Sequence, residues 1–303
     1  MSERENCQCP LCGVTRNKFI SNYHGSFLTC KDLLQCQSCE LIYSDKLPSK
    51  SELNEYYSSG LYYDKVSDPF EPEILKFSFK LSQSRLKLIF SHLNFSGAPK
   101  IIDIGAGNAQ LGLALQQSNE AFTYDAVEPD EEVSNKYGYH VKQKFTDINQ
   151  IKVGAYDLGV MNQVLEHVPD PVGFLDSVCR MLKPDGYMYI DVPFEDYLFK
   201  PSLEPHILFW NKKSMSVLLK KARLQMIFCD TAGMPHSQAK RFFSRQSFNQ
   251  KIRNPWIYLE KINLLMSKLG LPKPFDTFRQ FHSDLYGGKR QWLRCIAQKM
   301  NQK

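Results

Sequence analysis

The stretch Lys100-Ile-Ile-Asp-Ile-Gly-Ala-Gly-Asn108 constrains this chain more than any other. Ile101, Ile102 and Ile104 are β-branched and suit a buried parallel strand. Asp103 stands among them, and a carboxylate in such a strand needs a partner. Gly105 and Gly107 permit a tight turn and close backbone approach to a ligand. A helical pattern follows, with Leu111, Leu113, Ala114 and Leu115 apolar. Strand, glycine turn and helix form the ligand-binding start of a doubly wound α/β sheet. A dinucleotide-phosphate cradle would want G-x-G-x-x-G; here Gln110 fills the third position and Gly112 comes two residues late.

Further strands read at Phe122 to Val127, His140 to Phe145, Tyr156 to Met161, Tyr187 to Val192, Leu224 to Asp230 and Gln291 to Gln298. Helical patterns alternate with them, which predicts a mostly parallel, seven-stranded Rossmann-like sheet. Lys183-Pro-Asp-Gly186 punctuates the helix Val172 to Leu182 and the strand at Tyr187. Glu128 closes the second strand about twenty residues past the glycine turn, where a carboxylate accepts hydrogen bonds from ribose hydroxyls. An insertion spans about 232–288. Lys240, Arg241, Arg245, Lys251 and Arg253 there interleave with Phe242, Phe243 and Phe248, ahead of an amphipathic helix from Trp256 to Leu269. Such a segment can act as a lid, hold a sugar-nucleotide diphosphate, a lipid-linked glycan or RNA, build a homodimer face, or be a solvated surface.

The first 39 residues hold six of the nine cysteines. Cys9 with Cys12, and Cys36 with Cys39, form two C-x-x-C knuckles whose thiolates can close a structural, tetrahedral zinc site. A disulfide framework competes, without a secretion signal to support it. Cys7 and Cys30 read as spare thiols, Cys7 being able to compete with Cys9, and His24 reads as a loop residue. Leu41 to Pro48 is an extended exit, and Ser49 to Tyr57 a short helix capped by Ser49 or Ser51. Four tyrosines between Tyr56 and Tyr63 suit either a cover over a cofactor or planar substrate, or an aromatic packing linker. A helix from Phe70 to Asn94 leads into the first strand. No apolar signal region opens the sequence and no run is long enough to cross a bilayer, so a cytoplasmic protein is expected. The net charge of +6 suits an anionic partner without demanding one.

Asp103-x-Gly105-x-Gly107 resembles the first motif of class I S-adenosylmethionine-dependent methyltransferases. Asn162-Gln-Val-Leu-Glu-His-Val-Pro-Asp-Pro171 resembles their segment after the fourth strand. The resemblance covers roughly residues 99 to 232 and the final strand. It implies that Asp103, Gly105, Ala106, Gly107, Glu128, Asn162 and Gln163 bind S-adenosylmethionine, with Asp147 and Ile148 at the adenine. Asp147 could equally cap a turn. Glu166 and His167 are expected to cap and orient the next helix. The motif lacks the Pro-Pro-aromatic form of enzymes that methylate exocyclic amino groups of bases. Joined to a cysteine-rich segment that resembles a zinc ribbon, the whole looks most like bacterial sugar methyltransferases. The expected division is a zinc ribbon at 1–45, a helical cofactor-covering segment at 46–98 and a methyltransferase domain at 99–303.

Methyl transfer is an in-line displacement, so the protein must align an acceptor and remove its proton. His206 is the candidate base, with Glu204, Tyr197 and Glu195 as helpers, in a loop expected outside the carboxyl ends of the strands. The competing reading is a packed loop whose His206 satisfies a backbone carbonyl. The expected acceptor is a small molecule, a sugar or nucleotide-linked sugar. RNA methylation and a non-catalytic cofactor-binding scaffold are the alternatives.

Overall fold

The computed structural model describes residues 7–22, 32–58, 68–118, 121–200, 203, 205–240, 262, 265–266, 269, 271 and 288–300. In chain order these form β1 (Asn17–Asn22), β2 (Asp32–Cys36), β3 (Ile42–Ser44), α1 (Lys50–Ser58), α2 (Pro72–His92), β4 (Lys100–Ile104), α3 (Gln110–Gln116), β5 (Thr123–Val127), α4 (Glu131–Ser134) and β6 (Gln143–Phe145). β7 (Tyr156–Asn162), α5 (Pro171–Met181), β8 (Leu182–Pro193), β9 (Leu208–Phe209), α6 (Lys212–Lys221), β10 (Leu224–Pro235) and β11 (Arg290–Lys299) follow. His24, Cys30, Tyr62, Tyr63, Glu204 and nearly all of 241–287, which carry most of the basic insertion and its expected helix, lie outside the described residues.

The main sheet runs β10-β11-β8-β7-β4-β5-β6. β4 pairs in parallel with both β5 and β7, and β7 in parallel with β8, while β11 lies antiparallel between β8 and β10. The expected seven-stranded, mostly parallel α/β sheet is therefore present. Its β-branched centre is fully enclosed: Ile101 and Ile102 are 0% exposed. The strand order reverses at β4, which leaves a crevice over the carboxyl ends of β4 and β7.

Three strand boundaries differ from the sequence reading by three residues or more. β6 begins only at Gln143, because the chain still turns at Gly138, whose carbonyl accepts from Val141 N. β8 begins at Leu182 and not at Tyr187. Leu182 pairs with Tyr156 and Tyr187 with Leu158, so Lys183-Pro-Asp-Gly186 bulges within the strand, with Asp185 at φ 60°. β10 continues past Asp230 to Pro235, paired with β11, and the chain then turns helical at 236–240.

A second, four-stranded sheet runs β1-β2-β3-β9. Its last strand comes from the main body: Ile42 pairs with Phe209 and Tyr43 with Leu208. Leu11, Leu33, Leu34, Leu41 and Ile42 share one apolar core with Leu208, Phe209, Trp210, Met215 and Leu218. The cysteine-rich segment is thus welded to the main body through β9. Trp210 is 0% exposed at that junction. Trp210→Ala should cost about 3–5 kcal/mol in denaturant unfolding, the usual loss for a buried aromatic that leaves a cavity.

Candidate active site

The glycine turn after β4 is held from β5. Gly105 N and Ala106 N both donate to Val127 O at 2.9 Å. Gly105 has φ 70°, and a Cβ there would meet Val164 Cγ2 at 2.7 Å. Glycine is needed for the backbone angle and for the close approach of the β7 exit. Gly107 N donates to Glu128 Oε2 at 2.9 Å, and Tyr137 Oη donates to Gly107 O at 2.8 Å.

Asp103 is buried, and its Oδ2 accepts from Tyr124 Oη at 2.7 Å. Burial pushes its carboxyl up to about 6, against the Tyr124 bond and the Arg85 charge. Asp103 Oδ1 and Asn162 Oδ1, on the two central strands, are buried without a full hydrogen bond among the described residues, and the Asn162 side chain also helps to lower the Asp103 carboxyl. Burial likewise pushes Glu128 up to about 7, against bonds from the Asp130 and Gly107 amides. The folded chain therefore keeps the Glu128 proton where the unfolded chain has lost it. This carboxyl costs stability above pH 7 and nothing below its ordinary value of 4.5. Glu128→Gln should remove a pH-dependent loss of stability on the order of 2–3 kcal/mol between pH 4.5 and pH 8, set against one backbone bond forfeited at every pH, as read by the slope of thermal melts across pH.

Behind the crevice lies a charge network that the sequence reading missed. Asp191 of β8 is 0% exposed. Its Oδ2 accepts from Arg85 Nε of α2 at 2.9 Å and from Arg294 Nε of β11 at 3.3 Å. Arg294 Nη1 also donates to Ser84 Oγ at 3.1 Å. Gln163, at φ 58°, donates from its backbone N to Asp191 O at 2.8 Å and from Nε2 to the same oxygen at 3.2 Å. The β7 exit is thereby tied to β8. Arg294→Met should destabilise by about 3–5 kcal/mol in urea unfolding, because a buried carboxylate loses one of its two cations.

The exits of β7 and β8 build a third cluster. A 3-10 turn, Leu165–His167, follows β7. Glu166 is 1% exposed, and neither of its carboxyl oxygens has a hydrogen-bond partner among the described residues. Burial holds its carboxyl well above the usual carboxylate range. His167 Nε2 lies 3.7 Å from Glu166 Oε1, and its Nδ1 is 3.3 Å from Pro205 O. The His167 and His206 rings meet edge to face at 5.0 Å. His206 Nδ1 lies 2.8 Å from Asp196 Oδ2, which also takes Lys200 Nζ at 3.0 Å. Burial opposes ionisation of Asp196, but Lys200 and His206 outweigh it and hold the carboxyl below its ordinary range. Burial and the Lys200 charge lower His206 against the pull of Asp196, so the imidazole is neutral at pH 7. Burial, then His206, lowers His167 well below its ordinary value.

The remaining sequence candidates are dispersed. Asp147 is exposed and caps the 3-10 turn Ile148–Gln150, its Oδ1 accepting from Asn149 N at 2.7 Å. Ile148 packs half-buried on the main core. Tyr197 turns edge-on to Phe209 at 5.8 Å, and burial pushes its hydroxyl up to about 12. Glu195, at φ 47°, reaches Lys289 Nζ at 3.4 Å. Glu204 is not described. The helix-capping role expected of Glu166 and His167 is corrected: Asp170 caps α5, accepting from Gly173 N at 3.0 Å. Asp196 and Lys200 were missed because a lone i,i+4 charge pair looks like ordinary surface in a sequence.

Cys9, Cys12, Cys36 and Cys39 come together, their four sulfurs lying within 4.8 Å of one another. Cys9 Sγ is 3.5 Å from Cys39 Sγ and Cys12 Sγ is 3.4 Å from Cys36 Sγ. A disulfide needs about 2.05 Å. A tetrahedral ion with 2.3 Å bonds needs sulfurs about 3.8 Å apart, which this set brackets. The two knuckles fold alike: Gly13 N donates to Cys9 O and Glu40 N to Cys36 O, and Gly13 and Glu40 both take positive φ, 77° and 62°. Cys7 lies outside the four and donates to Asp45 O at 3.7 Å.

A family model described as a methyltransferase domain matches residues 68–253. The ubiquinone biosynthesis O-methyltransferase of Xylella fastidiosa (strain M23) is 28% identical over 152 residues, 46% of this chain and 58% of that protein. The protein of the same name from Actinobacillus pleuropneumoniae serotype 5b is 30% identical over 152 residues, 46% of this chain and 63% of that one. The chain thus spans under two thirds of these relatives' length. A solved S-adenosylmethionine-dependent methyltransferase from Thermotoga maritima superposes with a TM-score of 0.51 at 16% identity, covering 79% of this chain and 99% of that one. At that identity the likeness is one of fold.

Proposed function

The chain belongs to the methyltransferase-domain family, and from that premise we propose that it methylates a hydroxyl of a small-molecule acceptor with S-adenosylmethionine as donor. The observation that carries the reading is the set of buried acceptors around the switch point. Asp103 Oδ1 and Asn162 Oδ1 make no full hydrogen bond among the described residues, although the Asn162 side chain, like Tyr124 and Arg85, favours the Asp103 carboxylate. Glu128 holds the glycine turn through Gly107 N and is poised to ionise against ribose hydroxyls. This donor-poor, acceptor-rich crevice fits a ligand bearing an ammonium group and a ribose. In this reading Asp103, Gly105, Ala106, Gly107, Glu128, Asn162 and Gln163 hold the cofactor, and Asp147 with Ile148 borders the adenine. When bound, S-adenosylmethionine supplies an electrophilic methyl group on a sulfonium sulfur.

The chain's own work is to align the acceptor, exclude water and remove a proton. His206 is our assignment for the proton. Asp196 fixes its Nδ1, which leaves Nε2 as the nitrogen that acts, and the ring is neutral near pH 7. Glu204 and Tyr197 remain its proposed helpers. Oxygen as the acceptor atom draws support from the O-methyltransferase names of the relatives. A sugar or nucleotide-linked sugar draws on the sequence resemblance and the net charge of +6. The four cysteines hold a structural zinc ion, an assignment their number, chemistry and spacing support. The division into a ribbon at 1–45, a covering segment at 46–98 and a methyltransferase domain at 99–303 belongs to the same proposal.

Calorimetry should detect S-adenosylmethionine binding, with none for NADH, and binding should be lost in Glu128→Ala. Equal binding of NADH, or of S-adenosylmethionine by the variant, would overturn the cofactor assignment. Turnover is then screened on sugar nucleotides, other small hydroxyl compounds and RNA. His206→Ala should lower kcat by about 10²–10⁴ on the acceptor that responds.

A further inference from the structure

We propose that Glu166, His167 and His206 form a binding site for one divalent cation, distinct from the four-cysteine cluster, at the acceptor end of the crevice. One ligand atom from each residue lies within 4.8 Å of the other two. The His167 Nε2 to Glu166 Oε1 distance is already 3.7 Å. Bonds of about 2.0–2.2 Å to nitrogen and oxygen require a contraction of a few tenths of an ångström to roughly 1.5 Å across such a set.

Glu166 is the strongest argument. A carboxyl group 1% exposed, with neither oxygen bonded among the described residues, is costly to bury. Among the described residues its own backbone amide and the Lys200 charge relieve it only in part, its carboxyl still standing well above the usual range, while two imidazoles converge on it. A cation would satisfy the carboxylate and both rings at once.

The outer contacts are those of histidine ligands. Nδ1 of His206 is committed to the Asp196 carboxylate at 2.8 Å, and Nδ1 of His167 lies 3.3 Å from the Pro205 carbonyl. Each acceptor keeps the ring hydrogen on Nδ1 and makes Nε2 the coordinating atom, the arrangement that orients metal-bound histidines. Lys200 balances the Asp196 charge at 3.0 Å. Two nitrogens and one carboxylate suit a first-row divalent ion such as Mn²⁺, Fe²⁺ or Zn²⁺ and leave coordination positions for water or an acceptor oxygen.

The consequence for chemistry rests on the methyl-transfer reading; the binding does not. A hydroxyl coordinated to the ion loses its proton to water more readily, the O–H electron pair staying on oxygen. An ion held at Nε2 would take up the lone pair that accepts a proton, so with the ion bound His206 would act on the acceptor's proton only through the ion, in place of direct transfer to the ring.

The test uses the full chain. Mn²⁺ is titrated and free ion read by electron paramagnetic resonance, while bound zinc is counted by mass spectrometry. Total bound metal should be one ion per chain higher in the wild type than in Glu166→Gln. Asp196→Asn, which changes no ligand, should weaken Mn²⁺ binding ten- to a hundredfold. Equal metal content in wild type and Glu166→Gln overturns the site, as does unchanged affinity in Asp196→Asn. Melting curves verify that each variant folds, and His167→Gln replaces Glu166→Gln if that chain does not. S-adenosylmethionine calorimetry on the same samples separates the two ideas. Cofactor binding without the extra ion sinks the cation site alone. The extra ion without cofactor binding sinks the methyl-transfer reading alone.

Discussion

The Asp191 carboxylate is the contact on which the crevice depends. It is fully enclosed, and a buried carboxylate is costly unless it is paired and hydrogen-bonded. Those partners come from α2 through Arg85 and from β11 through Arg294. The backbone oxygen of the same residue fixes Gln163 at the β7 exit. A buried ion pair adds little net stability over a well-packed apolar substitute. Its effect here is on position. It locks the helix ahead of β4, the last strand and the loop that lines the crevice into one register.

That register sets the properties of the two carboxyls at the switch point. Asp103 and Glu128 sit in a dry environment that works against their ionisation. Hydrogen-bond donors oppose the burial without cancelling it. The site is therefore incomplete electrostatically: it offers acceptors and wants donors. A cofactor rich in N–H and O–H groups would complete it, and its binding would be coupled to proton release from Glu128.

The sheet was legible in the sequence because each strand carries a local signal, such as the β-branched run at Ile101, Ile102 and Ile104 or the glycines at 105 and 107. The cysteine knuckles were legible for the same reason, a fixed short spacing. The polar networks carry no such signal. Arg85 and Asp191 are 106 residues apart, and Ser84 and Arg294 are 210 apart. Only the folded topology brings them together. β9 is two residues long and has no period to detect, so the weld to the small sheet was invisible. Glu166 and His167 were read as helix-orienting residues because they precede a helix. Asp170, three residues further on from His167, does that work, which leaves the buried carboxyl to be explained by its surroundings.

The weld also gives the cysteine cluster a route to the chemistry. Ile207 N donates to Glu166 O at 2.8 Å, and Ser44 N donates to Ile207 O at 2.9 Å. The next two residues form β9 and pair with β3. At the other end of the segment, Asn211 Nδ2 donates to Glu40 O at 2.9 Å, at the αL corner of the second knuckle. The segment 205–211 is thus clamped by the small sheet on one side and by the 3-10 turn of Glu166 on the other. His206 is its second residue. An ion that tightens the cysteine knuckles would therefore also stiffen the backbone that presents His206. The cysteine cluster can in this way govern the geometry of the residues proposed to carry the chemistry.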